Sequence, residues 1–334
     1  MAAVTGSAEA GETDGPAGAD PPPNGAGVAG RRRMTMDSGP SPNGSLSTRP
    51  GFRADRVATL CLFHPLGRLL RTAAPRIPVL MYHSVSELDE SAMRPYYRIG
   101  TSAGVFEEQM RFLRANGYRS IGLQEAVGVI EGAVQGPEKP VVLTFDDGYG
   151  DFYTQAFPIL SRAGFSATVF LPTAYIGDTA RTLKNVAHLT WDQVRELNRA
   201  GIEFGSHTVT HPQLRTLGAE EITGEVRRSK ETIEQELGCR VKSFSYPYAF
   251  PETDRTFVPM LRRILQESGY ENGVSTIIGR LDRTCDRMFI KRLPVNSQDD
   301  LRFLQAKLEG AYDWLHAVQY GWKVRKWTGA GSGA

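Results

Sequence analysis

The chain has 334 residues, with 39 Lys or Arg against 37 Asp or Glu and a formal net charge of +2, which argues against a nucleic-acid binder that relies on a dense basic field. Forty per cent hydrophobic and 23% charged residues fit an ordinary globular protein, and no run of 18 apolar residues is present to form a membrane-spanning helix. Three cysteines, Cys61, Cys239 and Cys285, are too few and too scattered for a disulfide framework or a CxxC metal site, so any metal must be held by His and carboxylate.

Residues 1–50 hold 9 Gly and 7 Pro and almost no large apolar side chain. Such a stretch cannot offset its own ordering entropy, and a disordered tail and linker is expected over residues 1–70. Arg31, Arg32 and Arg33 form a small basic cluster inside it. They suit either a twin-arginine or secretory signal or solvated charge in a flexible tail. The second is preferred, because Met34 to Pro50 is polar where an apolar segment should follow. With no readable signal peptide, the residues themselves suggest a cytoplasmic protein, while Met34 and Met36 leave a later start site open. A folded domain over residues 71–320 and a flexible tail over 321–334 complete the expected organisation.

From Ile77 onward, short β-branched runs alternate with helical patterns. The strands expected are Ile77–His83, Val141–Phe145, Ser166–Leu171, Ile202–Gly205, Lys242–Tyr246, Asn272–Thr276 and Phe289–Leu293. Between them, Phe106 to Gly117 places Phe106, Met110 and Leu113 on one helical face. Thr190 with Gln193 forms a capping box for a helix through Ala200. Glu220 to Leu237 carries Ile222, Val226, Ile233 and Leu237 at helical spacing and ends at Gly238. Strands alternating with helices imply parallel strands joined by right-handed crossovers. Seven strands in this length predict an α/β fold, a distorted or incomplete (β/α) barrel, whose chemistry collects where strands end.

Two segments meet that expectation. The apolar strand Val141–Phe145 ends abruptly in Asp146-Asp147-Gly148, where adjacent carboxylates at a barrel mouth need a cation or hydrogen bonds to compensate. An Asp-Asp-Gly turn, or a calcium loop that includes Asp151, is an equal alternative at this point. The second segment, Ser206-His207-Thr208-Val209-Thr210-His211-Pro212, follows the strand Ile202–Gly205. Its two histidines stand four residues apart, a spacing that suits metal chelation, and Pro212 favours a single turn or tight loop over a long helix. A zinc-protease HExxH motif is excluded because Thr208 occupies the Glu position; two satisfied core histidines stay open as the alternative. Two His and one Asp leave coordination positions free, the composition of a catalytic site. Adjacent residues at a strand exit point in different directions, so one Asp can bind metal while the other serves as a base.

TFDDG at 144–148, SHTVTHP at 206–212 and FSYPYA at 244–249 resemble, in order, the first three motifs of the polysaccharide deacetylase family (carbohydrate esterase family four, the NodB homology domain). The resemblance extends over about residues 77–300. It implies a distorted (β/α) barrel that removes acetyl groups from acetylated sugars with a divalent metal, commonly Zn2+. It also implies Asp146 as catalytic base and Asp147, His207 and His211 as metal ligands. The chain departs from the common pattern in two places. Ser245 stands where many members have an Arg that braces the base, and the late LxH motif that supplies the acid is missing. Val79-Leu80-Met81-Tyr82-His83-Ser84 instead resembles the circularly permuted exopolysaccharide (poly-N-acetylglucosamine) deacetylase branch, where the acid His comes first. His83 is thus expected to be the acid rather than a structural strand-end residue. Arg292 is either the replacement brace or a surface cation.

The expected reaction is hydrolysis of an acetamide on a glycan or polysaccharide. Asp146 takes the water proton, the backbone N–H of Tyr248 holds the oxyanion by resemblance, and His83 protonates the leaving amine. Tyr149, Trp191 and Tyr248 are candidates for stacking on sugar rings, or core aromatics. An O-acetyl esterase and a non-catalytic carbohydrate-binding relative are the alternatives. Members of the family work on extracytoplasmic glycans, which sets the expected location against the missing signal peptide.

Overall fold

The structure is a computed structural model and describes residues 53–69, 75–88, 90, 93–183 and 186–328. Arg31–Arg33 and the Gly/Pro-rich stretch lie outside these residues. Seven strands form the centre: β1 Val79–Tyr82, β2 Pro140–Phe145, β3 Thr168–Leu171, β4 Glu203–Ser206, β5 Ser243–Ser245, β6 Asn272–Ile278 and β7 Ile290–Pro294. Each expected strand is present. All pair in parallel and in chain order, and β7 closes on β1 through Leu80↔Leu293 and Met81↔Pro294, so the sheet is a barrel without edges.

Among the described residues, eight α-helices follow β1: α1 Ala103–Ala115, α2 Leu123–Glu131, α3 Phe157–Ala163, α4 Trp191–Arg199, α5 Ala219–Leu237, α6 Phe257–Glu267, α7 Leu301–Leu308 and α8 Leu315–Thr328. The Thr190–Gln193 capping box forms as expected at the start of α4, and Gly238 ends α5 in the left-handed conformation. A two-residue strand, Arg119–Ser120, and a small hairpin, Thr182–Leu183 with Val186–Ala187, were not expected from the sequence; both are too short to carry a pattern. No helix among the described residues is long and apolar enough to cross a membrane.

The period of two along each strand decides what enters the barrel. On β2, Val141, Leu143 and Phe145 pack outward into the larger core, while Val142 packs into a separate inner cluster with Val79, Phe170, Val274 and Ile290. Continuing each inward series upward gives Val142, Thr144 and Asp146 on β2, Val79, Met81 and His83 on β1, Ile290 and Arg292 on β7, and Ser243 and Ser245 on β5. The polar residues of the site are thus the last inward positions of their strands, above apolar positions on β1, β2 and β7 and above Ser243 on β5. Gly205 on β4 is required by the same crowding: a Cβ there would stand 2.5 Å from the Phe170 ring and 2.8 Å from the Ser243 carbonyl.

Two domain limits differ from the expectation. The helical segment from Ala54 (Ala54–Ala58, a π-helical turn Thr59–Phe63, and His64–Leu69) stands where a disordered linker was expected. It is fixed by Arg53 Nη1 to Asp299 Oδ1 (2.9 Å), by Trp314 Nε1 to Thr59 Oγ1 (3.0 Å) and by Phe63 stacked on Trp314 at 4.7 Å. At the other end, the flexible tail expected from residue 321 begins too early, because α8 runs to Thr328 and Lys323 is an ion-pair partner of Glu252.

Candidate active site

Asp146 is 3% exposed and fully hydrogen-bonded. Arg292 meets it with a two-pronged contact, Nη1 to Oδ1 at 2.8 Å and Nη2 to Oδ2 at 2.7 Å, and the Ser245 hydroxyl donates to Oδ1 at 3.0 Å. Arg292 is itself buried and oriented by the Ser275 carbonyl (3.0 Å from Nε) and by Thr144 Oγ1 (3.2 Å from Nη1). The surface-cation alternative for Arg292 is therefore wrong. Burial pushes the Asp146 carboxyl up, but Arg292 and then His207 more than offset it and hold the group at about 2. His83 stands on the other side, with Nε2 4.0 Å from Asp146 Oδ2.

Asp147 turns away from its neighbour. Its φ of 70° sends the side chain toward the loop after β4, where Oδ1 lies 3.4 Å from His207 Nε2 and 3.3 Å from His211 Nε2. The His pair sits in an irregular loop, not on a helical turn: Thr208 and His211 both have positive φ (70° and 55°). Together with Tyr248 (φ 59°), these four are the positive-φ residues other than glycine among those described, and all border the site. Such conformations cost about 1–3 kcal/mol each and persist only where surrounding contacts enforce them.

One contact of that kind comes from α5. Glu225 Oε2 accepts from the N–H groups of Val209 and Thr210, each at 2.8 Å, and Oε1 accepts from the Thr210 hydroxyl at 3.0 Å. The Thr208 hydroxyl accepts from His211 N–H at 3.0 Å. His207 Nδ1 lies 2.8 Å from the Ser245 carbonyl, which can only accept, so Nδ1 carries a proton and Nε2, facing Asp147, is the nitrogen that the neutral ring offers as a ligand. Burial pulls His207 down, but its bond to Asp147 and the charges of Asp146 and Asp147 together raise it; burial and the neighbouring His207 hold His211 at about 4.

Asp147, His207 and His211 are the group of titratable side chains, among the described residues, that could hold a metal ion, with one ligand atom from each within 4.8 Å of the others. Ligand atoms 2.0–2.1 Å from one tetrahedral centre stand roughly 3.3–3.4 Å apart, which the two measured separations match. The donor set, a carboxylate oxygen and two imidazole nitrogens with one ring fixed by a carbonyl, therefore fits a divalent transition metal. Asp151 is not part of it. Its Oδ2 accepts from Ser84 Oγ at 2.5 Å, which sets aside the calcium-loop alternative.

Two expected sugar platforms are corrected. Trp191 is 6% exposed and belongs to the hydrophobic core, and Tyr149, 8% exposed, packs beside His188 at 5.1 Å with its phenol toward Asp147. Neither ring offers an open face. Tyr248 does: it is 46% exposed and its ring lies 4.6 Å from that of His211. His316, on α8, bonds Glu252 at 2.7 Å. Ser245 and Glu225 were missed as site residues. Ser245 was noted only as a departure, although a small hydroxyl at the position of a missing Arg leaves room for a guanidinium from another strand.

A sequence profile of the polysaccharide deacetylase family matches residues 133–272. YxkH of Bacillus subtilis (strain 168), which bears a polysaccharide deacetylase name, is 30% identical over 232 residues, 68% of this chain and 74% of that protein. The poly-β-1,6-N-acetyl-D-glucosamine N-deacetylase of Escherichia coli (strain K12) is 37% identical over 139 residues, 39% of this chain but only 20% of that longer protein. The deacetylase PplD of Streptococcus pyogenes, solved with acetate, is 24% identical with a TM-score of 0.62, covering 71% of this chain and 99% of its own, and shares the fold. With the motifs at the strand ends and a relative of this identity matched over most of its length, the chain belongs to the polysaccharide deacetylase family.

Proposed function

We propose that the protein removes acetyl groups from N-acetylated sugars of a polysaccharide by metal-dependent amide hydrolysis. A polymer of N-acetylglucosamine, the substrate named for the Escherichia coli relative, is the first to try. The observation that carries the reading is the pairing of an ionised carboxylate with an imidazole 4.0 Å away, beside a group of one Asp and two His. Amide hydrolysis needs both a base for water and an acid for the leaving nitrogen; an ester needs the acid less.

Asp147, His207 and His211 would hold the metal, with Zn2+ the first choice for this donor set. A bound divalent ion supplies Lewis-acid chemistry, lowering the pKa of a coordinated water and polarising the acetyl carbonyl. Asp146 accepts the water proton. At about 2 it is a weak base, suited to a water already acidified, and Arg292 and Ser245 aim it. The Tyr248 backbone N–H, placed by a positive φ, donates to the oxygen that becomes negative. His83 delivers a proton to the departing nitrogen, and the exposed Tyr248 ring offers a face to the sugar.

The test is metal analysis joined to acetate release from N-acetylglucosamine oligomers and from acetylated xylan. We expect release from the oligomers, abolished by chelation and restored by Zn2+. Asp146→Asn should stop turnover with metal still bound, and His207→Ala should lose the metal. Activity that survives exhaustive chelation overturns the mechanism. Release from xylan alone points to an O-acetyl esterase, and bound metal with no release from either to a carbohydrate-binding relative.

A further inference from the structure

The strands β6 and β7 fall out of register beside the site. Val274 pairs with Ile290 and Ile278 with Arg292, so four steps along β6 face two along β7. Bulges of this kind bend a strand, free backbone groups from the ladder and re-aim side chains. Two groups in this one serve the catalytic residues. The Ser275 carbonyl accepts from Arg292 Nε at 3.0 Å, which fixes the guanidinium that holds Asp146. The Thr276 hydroxyl accepts from Phe250 N–H at 2.9 Å and donates to the Tyr248 carbonyl at 3.0 Å, clasping both ends of the turn that carries the oxyanion donor.

The backbone groups freed by the bulge are taken up by α8. Gln319 Nε2 donates to the Thr276 carbonyl at 2.9 Å, and Gln319 Oε1 accepts from Ile278 N–H at 3.1 Å, so one side-chain amide stands in for a missing strand neighbour. On the same helical face, His316 and Lys323 each bond the Glu252 carboxylate at 2.7 Å, and Glu252 lies just beyond the Tyr248 turn. The helix therefore grips the bulge on one side and the turn on the other.

We propose that Gln319 is a positioning residue for the reaction: through the β6 bulge it sets the Tyr248 turn and steadies Arg292, making the C-terminal helix α8 part of the catalytic apparatus. This rests on the role given above to Tyr248 and Asp146. Gln319 touches neither substrate nor metal, so its removal should slow chemistry without weakening substrate binding. A residue that merely added stability would show the opposite, with unchanged turnover in the folded fraction.

The experiment compares the full chain with Gln319→Ala in three readouts. Turnover should fall about tenfold in kcat with KM within about twofold. Bound zinc per chain should be unchanged. Amide hydrogen exchange should speed up in peptides covering residues 246–252 while peptides covering 206–212 keep their protection. Lys323→Ala should repeat this pattern more weakly, and Lys323→Arg, which keeps the ion pair, should restore it. Unchanged kcat in Gln319→Ala overturns the proposal, as does a loss of activity that tracks loss of zinc, or unchanged exchange at 246–252. If the wild type releases acetate from no substrate, the functional reading fails by itself, and the exchange data still decide whether Gln319 holds the turn.

Discussion

At the scale of single residues, the site is organised by what surrounds Asp146. A carboxylate this buried would ordinarily be pushed up and neutralised. Arg292, with His207 and His83, reverses the sign and holds it at about 2, against an ordinary value of 3.8. Because the folded value is the lower one, the group's contribution to stability is complete above about pH 4 and is lost as pH falls through about 2. Asp146 is thus ionised throughout the neutral range, as the proposed base must be. Arg292→Met removes the leading offset and leaves only His207 and His83 against burial, so the carboxyl rises and activity is lost at higher pH than in the wild type. Breaking one side of a buried pair also costs about 3–5 kcal/mol. Arg292→Lys keeps the charge but not the two-pronged contact, and should fall between the two. The pH profile of kcat/KM checks the first point and urea unfolding the second. A methionine variant whose acid limb superimposes on that of the wild type would show that Arg292 does not set the charge of Asp146.

At the scale of elements, the loop after β4 depends on the helix that follows it. Glu225 on α5 takes two loop N–H groups and one hydroxyl, so the loop that carries His207 and His211 is held from below. Glu225→Ala leaves those donors unpaired, which costs about 1–3 kcal/mol, and lets His207 and His211 drift; metal affinity should weaken about 10–100-fold. Competition against a chelating dye measures this, and an unchanged Kd would relieve Glu225 of the role. The contact also marks where single-sequence reading stops. The strands were legible because barrel strands buried on both faces read as continuous apolar runs, and Asp146, Asp147, His207 and His211 stood out as the polar residues just beyond two of those runs. Arg292 was legible only as one of two alternatives, since its partner lies 146 residues away. Ser245 was legible only as a departure from the family motif, and Gln319 not at all. Their partners lie 99 and 43 residues distant, and nothing local distinguishes them from other polar side chains.

At the scale of the whole molecule, the N-terminal end of the described chain is tied down by buried charge and by Trp314 rather than by strand pairing. Asp299, fully buried, accepts from Arg53 Nη1 at 2.9 Å, from Lys307 Nζ at 2.7 Å and from the Asn296 N–H at 3.2 Å. This is why a segment whose composition suggested a linker is helical: Arg53 finds its partner 246 residues later, beyond the reach of any local pattern. Two cations on one buried carboxylate make the arrangement unforgiving. Asp299→Ala leaves Arg53 with Asp55 alone and Lys307 with only the Pro294 carbonyl, and the loss should be about 3–5 kcal/mol, a fall in Tm of roughly 6–15 °C for a domain of this size. The exposed pair Arg162–Glu107, 3.4 Å apart with side chains 61% and 42% exposed, provides the contrast, since Glu107→Ala should change stability by less than about 1 kcal/mol. Limited proteolysis separates a local effect from a global one. If Asp299 chiefly fastens the N-terminal helical segment, the variant is cut between residues 53 and 69 before the barrel unfolds, and zinc stays bound. Equal stability losses in the two variants would mean that the buried network adds no more than a surface pair.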